Sequence, residues 1–316
     1  MIQSARTQTG AFDEIETFFR ERFTTDNPLI TEAVKRMLAA GGKRLRPQIT
    51  LLAAQAAGSS ARAHLELAAY MELIHVATLI HDDVVDHAMM RRGVNATAVD
   101  YGNRISVLAG DYLFAWIFKN VTDRYPPPIP NILSATLAAI CDGEVLQLRS
   151  LGDLELTLGD YVEIVTKKTA TLFAASAECG AIAGGGTADE VAALREYGLA
   201  YGIGFQMRDD LLDVTAQAGE LGKPVGNDLT EQKVTIPLIL ALRRGGNDFR
   251  GLAERYYKDG PAQSIEPLLT GIRRSGAAEE TRTHVREYAR RAERALTPLP
   301  ETSAKAELRH LAETLV

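Results

Sequence analysis

Cysteine is nearly absent: Cys141 and Cys179 are the only two in 316 residues. Two well-separated thiols make neither a disulfide framework nor a thiolate metal site, so a reducing, cytoplasmic compartment is expected. Glycine (26) and proline (12) stay near average usage, which excludes collagen-like and broadly disordered chains. Basic residues are in the minority, 35 against 41 acidic ones. The resulting net charge of −6 argues against general nucleic-acid binding, which needs a basic face. A bilayer span needs about 20 apolar residues. The best candidate by sequence, 169–188, is broken by Glu178 and by Gly184, Gly185 and Gly186, so no stable membrane insertion is expected. The first residues, MIQSARTQTGAFDEIETFF, lack the apolar core of a leader, and none is expected. Strand signals are missing too: no alternating runs joined by Asn-Gly or Asp-Gly occur.

What remains is helix. Apolar residues recur at steps of three and four. The pattern predicts helices over 11–23, over 28–40 ending at Gly41-Gly42, over 64–90, and over 191–217. The Pro126–Pro130 run breaks two of them. Thr157 with Asp160, and Thr187 with Glu190, fit capping boxes. Gly198 and Gly202, four apart, would let a neighbouring helix approach closely. Beyond about 245 the chain is more charged and reads as peripheral amphipathic helices. The expectation is one all-α domain over 1–316, a bundle of many helices around a central apolar cavity.

The strongest chemical signal occurs twice. Residues 79–86 read Leu-Ile-His-Asp-Asp-Val-Val-Asp, and 205–213 read Phe-Gln-Met-Arg-Asp-Asp-Leu-Leu-Asp. Asp82 and Asp86 share a helix face one turn apart, as do Asp209 and Asp213. Like charges at that spacing destabilise a helix, and carboxylates set among Leu79, Ile80, Val84 and Val85, or Phe205, Leu211, Leu212 and Val214, need a cation. Magnesium fits, because it bridges carboxylates to phosphate oxygens. No His/Cys set has zinc spacing. An acidic chain that binds diphosphate must concentrate positive charge locally, and basic residues gather at Lys43-Arg44-Leu45-Arg46, at Arg91-Arg92, at Lys167-Lys168, and at Lys223 and Lys233.

With these pieces the chain resembles the trans-polyprenyl diphosphate synthase family. The matching stretches are GGKRLRP (41–47), ELIHVATLIHDDVVDHAMMRRG (72–93), VLAGDYLF (107–114), GEVLQL (143–148), KKTATLF (167–173), GFQMRDDLLDV (204–214) and GKPVGNDLTEQKVTIPLI (222–239). They run in family order over a catalytic core of about 40–240. Two positions depart: Gln232 stands where the family usually has glycine, and Arg208 is bulkier than is common in the second aspartate motif.

The resemblance implies the isoprenoid synthase type of fold. It also implies a reaction: an allylic diphosphate ionises, isopentenyl diphosphate attacks the cation head-to-tail, and a proton is lost. Asp82, Asp86 and Asp209, supported by Asp83, Asp210 and Asp213, would hold three magnesium ions. Arg91, Lys168, Thr169, Gln206, Lys223 and Lys233 would bind the allylic diphosphate. Lys43, Arg46, His75 and Arg92 would bind isopentenyl diphosphate. The catalytic assignments fall on Asp82, Asp86, Asp209, Lys168 and Arg91. A homodimer is implied, for which the apolar periphery at 104–118 could supply an interface. A class I terpene cyclase and a partner-dependent subunit are the rivals; the second Asp-Asp-x-x-Asp and the presence of all six aspartates disfavour them.

Product length turns on Thr78, Ala77, Ile74 and Met71, which precede Asp82 on its helix. At about 1.5 Å rise per residue, Ala77 and Thr78 lie roughly 6–8 Å below the metal end. Both are small, so the growing chain should pass them and stop near Met71 and Tyr70, giving a product of about 30–45 carbons. A short-chain synthase, making geranylgeranyl or farnesyl diphosphate, is the alternative.

Overall fold

The computed structural model describes residues 13–60, 62–91, 93–216, 225–259 and 264–316. Among them regular structure is almost entirely helical, apart from one two-residue ribbon. The chain forms two compact units, each assembled from separate stretches.

The first unit takes residues up to 135 together with 172–198 and 296–308. Helix α1 covers 13–22 among the described residues. In α2 (Pro28–Ala39) the Asn27 side chain accepts the Leu29 N–H at 3.1 Å, with Pro28 in the first turn, where its missing N–H costs nothing. The helix ends before Gly41, whose φ of +75° leaves the helical region. Helix α3 (Leu45–Ala56) follows Arg44, and α4 (Leu65–Val85) follows it; α4 packs on α2, α3 and α5 (Thr97–Arg124), which is broken by a kink at Gly102, where φ is +77°. Because α4 is apolar almost all round, most of it is enclosed. Phe18, Phe23, Tyr70 and Trp116 meet edge to face nearby, with ring centroids 5.4–6.5 Å apart. Glycine permits two close helix approaches. A Cβ on Gly180 of α8 (Thr171–Ala183) would lie 2.3 Å from the Thr50 carbonyl oxygen, and one on Gly198 2.4 Å from that of Phe173. The expected role of Gly198 is therefore realised.

Helix α4 stops earlier than its apolar pattern suggests. His87 takes a left-handed φ of +51°, and the Ala88 N–H closes back on Asp83 O at 2.9 Å, a Schellman end. Residues beyond it form an antiparallel ribbon, β1 (Met90–Arg91) against β2 (Val94–Asn95), turned at Gly93. The 64–90 helix is thus corrected to Leu65–Val85. Its end is set by backbone hydrogen bonds that periodicity does not report.

The second unit takes 136–171, 199–295 and 309–316. It holds most of α6 (Ile129–Arg149), α7 (Leu158–Val165), a π-helix (Thr166–Ala170) and the later part of α9 (Ala188–Thr215). The Thr157/Asp160 box starts α7 as expected, and Thr187 with Glu190 starts α9 in the first unit. After the short α10 (Asn227–Thr230), α11 (Ile236–Arg244) is nearly all buried. It is wrapped by α12 (Gly246–Asp259), α13 (Glu266–Arg274) and α14 (Ala277–Ala295). These are amphipathic, as the charged C-terminal composition implies: α14 buries Ala277, Thr281, Val285, Ala289 and Ala292 at helical spacing. Helix α15 (Ser303–Glu313) closes the chain.

Candidate active site

Four partly accessible residues at the α4 end stand at steps of three and four: His75, Thr78, Asp82 and the C-cap Asp86. One strip of the helix therefore carries both outer carboxylates and the predicted histidine. Met71, Ile74 and Ala77 are fully enclosed. Of the two small residues expected below the metal end, Thr78 lies on the strip and Ala77 is packed off it.

Asp83 faces the other way. It is fully buried, and its Oδ1 accepts from Arg91 Nε at 2.8 Å and Nη2 at 2.5 Å. Burial raises its pKa, and the guanidinium pulls it back. This pair fastens the β-ribbon to α4 and points Arg91 at a carboxylate. Arg92 and Lys223 lie outside the described residues.

The GGKRLRP loop divides its three cations. Lys43 is exposed. Arg44, in the left-handed region at φ +47°, is buried; it donates to Glu16 Oε1 (2.7 Å), Glu72 Oε1 (3.1 Å) and Leu38 O (2.8 Å). Arg46 sets its guanidinium over the Phe173 ring, 4.4 Å from the centroid. Arg44, grouped by sequence with the substrate cations, is instead spent inside the protein; its burial beside Glu72 of α4 ties the loop to the first aspartate helix.

In the second unit, Lys167, Lys168 and Thr169 sit in the π-helix. Such turns are rare and concentrate at functional sites. Gly143 of α6 allows the π-helix to come close: a Cβ there would lie 2.5 Å from Lys168 N. Glu144 pairs with Lys168, and Glu163 pairs with Lys167 at 2.9 Å. Both lysines therefore have a carboxylate partner supplied by the protein. Gly143 and Glu144 belong to the GEVLQL stretch, whose purpose the sequence left unexplained.

The second aspartate helix divides its carboxylates as well. Asp209 is exposed. Asp210 accepts the Tyr161 hydroxyl at 2.6 Å and Gln206 Nε2 at 2.7 Å, while Gln206 Oε1 accepts the Thr169 hydroxyl at 3.0 Å. Burial pushes the Asp210 carboxyl up to about 7 against the pull of those donors. Asp213, fully buried, accepts the Asp228 N–H at 3.0 Å and so ties α9 to α10. Gln232 takes φ +59°, the backbone region that glycine enters freely. Its carbonyl accepts the Gly152 N–H at 2.9 Å, which helps hold the strained turn, and Lys233 Nζ meets Glu231 at 2.6 Å.

Among the described residues no three His, Cys, Asp or Glu side chains converge on a metal-sized site. The donors nonetheless suit magnesium, which takes one or two carboxylates and completes its shell with phosphate oxygens and water. Asp82 with Asp86, and Asp209, offer hard oxygen donors on partly open surfaces, whereas Asp83 and Asp210 are taken up by protein donors.

Comparison with known proteins agrees with this chemistry. The family described as Polyprenyl synthetase matches residues 27–269. Octaprenyl diphosphate synthase of Escherichia coli (strain K12) is 38% identical over 297 residues, covering 94% of this chain and 92% of that one. Geranylgeranyl diphosphate synthase of Methanosarcina mazei is 42% identical over 219 residues, 68% of each. Polyprenyl synthase from Caulobacter crescentus CB15, solved with calcium and isoprenyl diphosphate, superimposes with a TM-score of 0.93 at 37% identity, covering 98% of this chain and 95% of that one.

Proposed function

Because the chain belongs to the polyprenyl synthetase family, we propose that it condenses isopentenyl diphosphate with an allylic diphosphate to give an all-trans polyprenyl diphosphate of medium or long chain. It is a prenyltransferase of the isoprenoid synthase fold. The observation that carries the reaction is the pair of aspartate helices, each presenting carboxylate to solvent, with Thr169 of the π-helix hydrogen-bonded to Gln206 of the second.

Asp82, Asp86 and Asp209 are the proposed magnesium ligands, three ions in all. Magnesium would supply positive charge against the leaving diphosphate. Lys168, Thr169 and Gln206 bind the allylic diphosphate together with Arg91, Lys223 and Lys233. Fixed donors at the point where charge develops lower the barrier without reorganising. Glu144 and Asp83 hold Lys168 and Arg91 in place before substrate arrives. Lys43, Arg46, His75 and Arg92 bind isopentenyl diphosphate. Phe173 orients the Arg46 guanidinium for that task.

The protein is proposed to be a cytoplasmic homodimer. Both thiols are free. Helix α5 exposes Val107, Leu108 and Tyr112, an apolar face suited to a second copy. Helix α6 is long and apolar enough to cross a membrane by length and composition. Its Glu144 is engaged with Lys168, however, and its Gly143 with the π-helix, which favours a protein environment for it.

The test is incubation of the purified chain with magnesium, isopentenyl diphosphate and dimethylallyl, geranyl or farnesyl diphosphate in turn, reading product mass. Polyprenyl diphosphates of about 30–45 carbons are expected from a chain running from the metal end to Met71. A product stopping at geranylgeranyl diphosphate would make this a short-chain synthase, and cyclised hydrocarbon or no condensation would refute the reading.

A further inference from the structure

Building on the assignment of Lys168, Thr169 and Gln206 to the allylic diphosphate, we propose that Tyr161 is a positioning residue for that site, acting through Asp210 to orient the Gln206 amide. Tyr161 lies on α7, five residues ahead of the π-helix, and its hydroxyl reaches across to α9. The contacts form a relay. Tyr161 donates to one oxygen of Asp210 (2.6 Å), Gln206 Nε2 donates to the other (2.7 Å), and Gln206 Oε1 accepts from Thr169 (3.0 Å).

Each step follows from the donor and acceptor chemistry of the one before. Asp210 takes the Tyr161 hydroxyl on one oxygen and the NH2 end of the amide, rather than its carbonyl, on the other. With NH2 turned to Asp210, Oε1 must face Thr169, and the threonine hydroxyl is held by it. The NH2 group also keeps a second N–H, the kind of donor a phosphate oxygen recognises. The reversed amide would set its carbonyl against Asp210 and present its NH2 to a hydroxyl. Tyr161 and Asp210 are both 3% exposed, so neither is placed to meet substrate; they act on it through Gln206. Tyr161 also fastens α7, started by its capping box, to the second aspartate helix, and Lys168 follows on the same strut.

Tyr161→Phe removes one hydroxyl and no carbon. Binding of farnesyl diphosphate with magnesium, read by calorimetry, should weaken about tenfold or more, the cost of leaving a buried acceptor short of its donor. The Michaelis constant for isopentenyl diphosphate and the magnesium half-saturation should stay within about twofold. In a Gln206→Ala background the Tyr161→Phe effect should vanish, because the relay no longer has its last member. Unweakened binding in Tyr161→Phe, an equal loss for both substrates, or an effect that persists undiminished in Gln206→Ala would each overturn the proposal. So would a lowered melting temperature with wild-type binding, the mark of a purely structural hydroxyl. Binding needs no turnover, so the two readings fail separately: a wild-type chain that binds farnesyl diphosphate but never condenses it refutes the reaction alone.

Discussion

Substituting Gly143 by alanine tests how closely α6 must approach the lysine-bearing π-helix. The added Cβ would stand 2.5 Å from Lys168 N, 2.9 Å from Lys167 Cβ and 3.0 Å from Lys167 C. Ordinary contact begins at 3.4 Å, so the nearest pair must separate by about 0.9 Å. Two of the three opposing atoms are backbone, which no side-chain rotation can move aside. The strain of such overpacking is typically about 1–3 kcal/mol. A displacement near 1 Å of binding groups can cost about a hundredfold in rate. The variant should therefore lose about ten- to a hundredfold in kcat/KM for the allylic substrate. The Michaelis constant for isopentenyl diphosphate should change by less than about threefold, because its proposed ligands Lys43, Arg46 and His75 make no contact with Gly143. The assay is steady-state turnover with each substrate varied against a saturating partner, with thermal melting in parallel. Wild-type kinetics together with a wild-type melting temperature would refute the close approach. Wild-type kinetics with a clear loss of stability would show instead that the π-helix lysines take no part in binding.

Three further outcomes follow from the same geometry. Asp82→Ala and Asp209→Ala should each remove several kcal/mol of barrier lowering, and EDTA should abolish a turnover that magnesium restores; full activity in metal-free buffer would end the metal reading. Ala77→Phe should shorten the product by several isoprene units, and because Ala77 is fully enclosed it should also destabilise by about 1–3 kcal/mol, so unchanged product mass would remove the tunnel argument. Arg44→Ala strands Glu72, which is 2% exposed, and should cost about 3–5 kcal/mol in denaturant unfolding; a loss under about 1 kcal/mol would show that the pair is not sealed from water.

The helical class, both aspartate motifs and the capping boxes were legible because each is a short-range pattern. Asp82 and Asp86 share a face wherever the helix goes, and Thr157 finds Asp160 three residues on. The amphipathic C-terminal helices were legible for the same reason. The end of α4 was not, since a histidine in the left-handed conformation carries no mark in an apolar repeat. Gln232 lies between these cases. Its departure from the family's glycine was visible, but that the turn keeps a left-handed backbone without glycine was not.

By itself the sequence determined which residues are the candidates for the chemistry: the paired carboxylates, the Lys-Lys-Thr run and the basic loop. Tertiary structure decided which of them are buried and which partners they meet. It sorted Asp83 and Asp210 from Asp82 and Asp209 by burying the first two against Arg91, Tyr161 and Gln206. It gave Lys168 to Glu144 and split Arg44 from Lys43 and Arg46. The physical reason is sequence distance. Tyr161 and Asp210 are 49 residues apart, and Arg44 and Glu72 are 28 apart. Pairing at such separations depends on how closely helices pack, and a missing Cβ such as that of Gly143 counts as much as any side chain present.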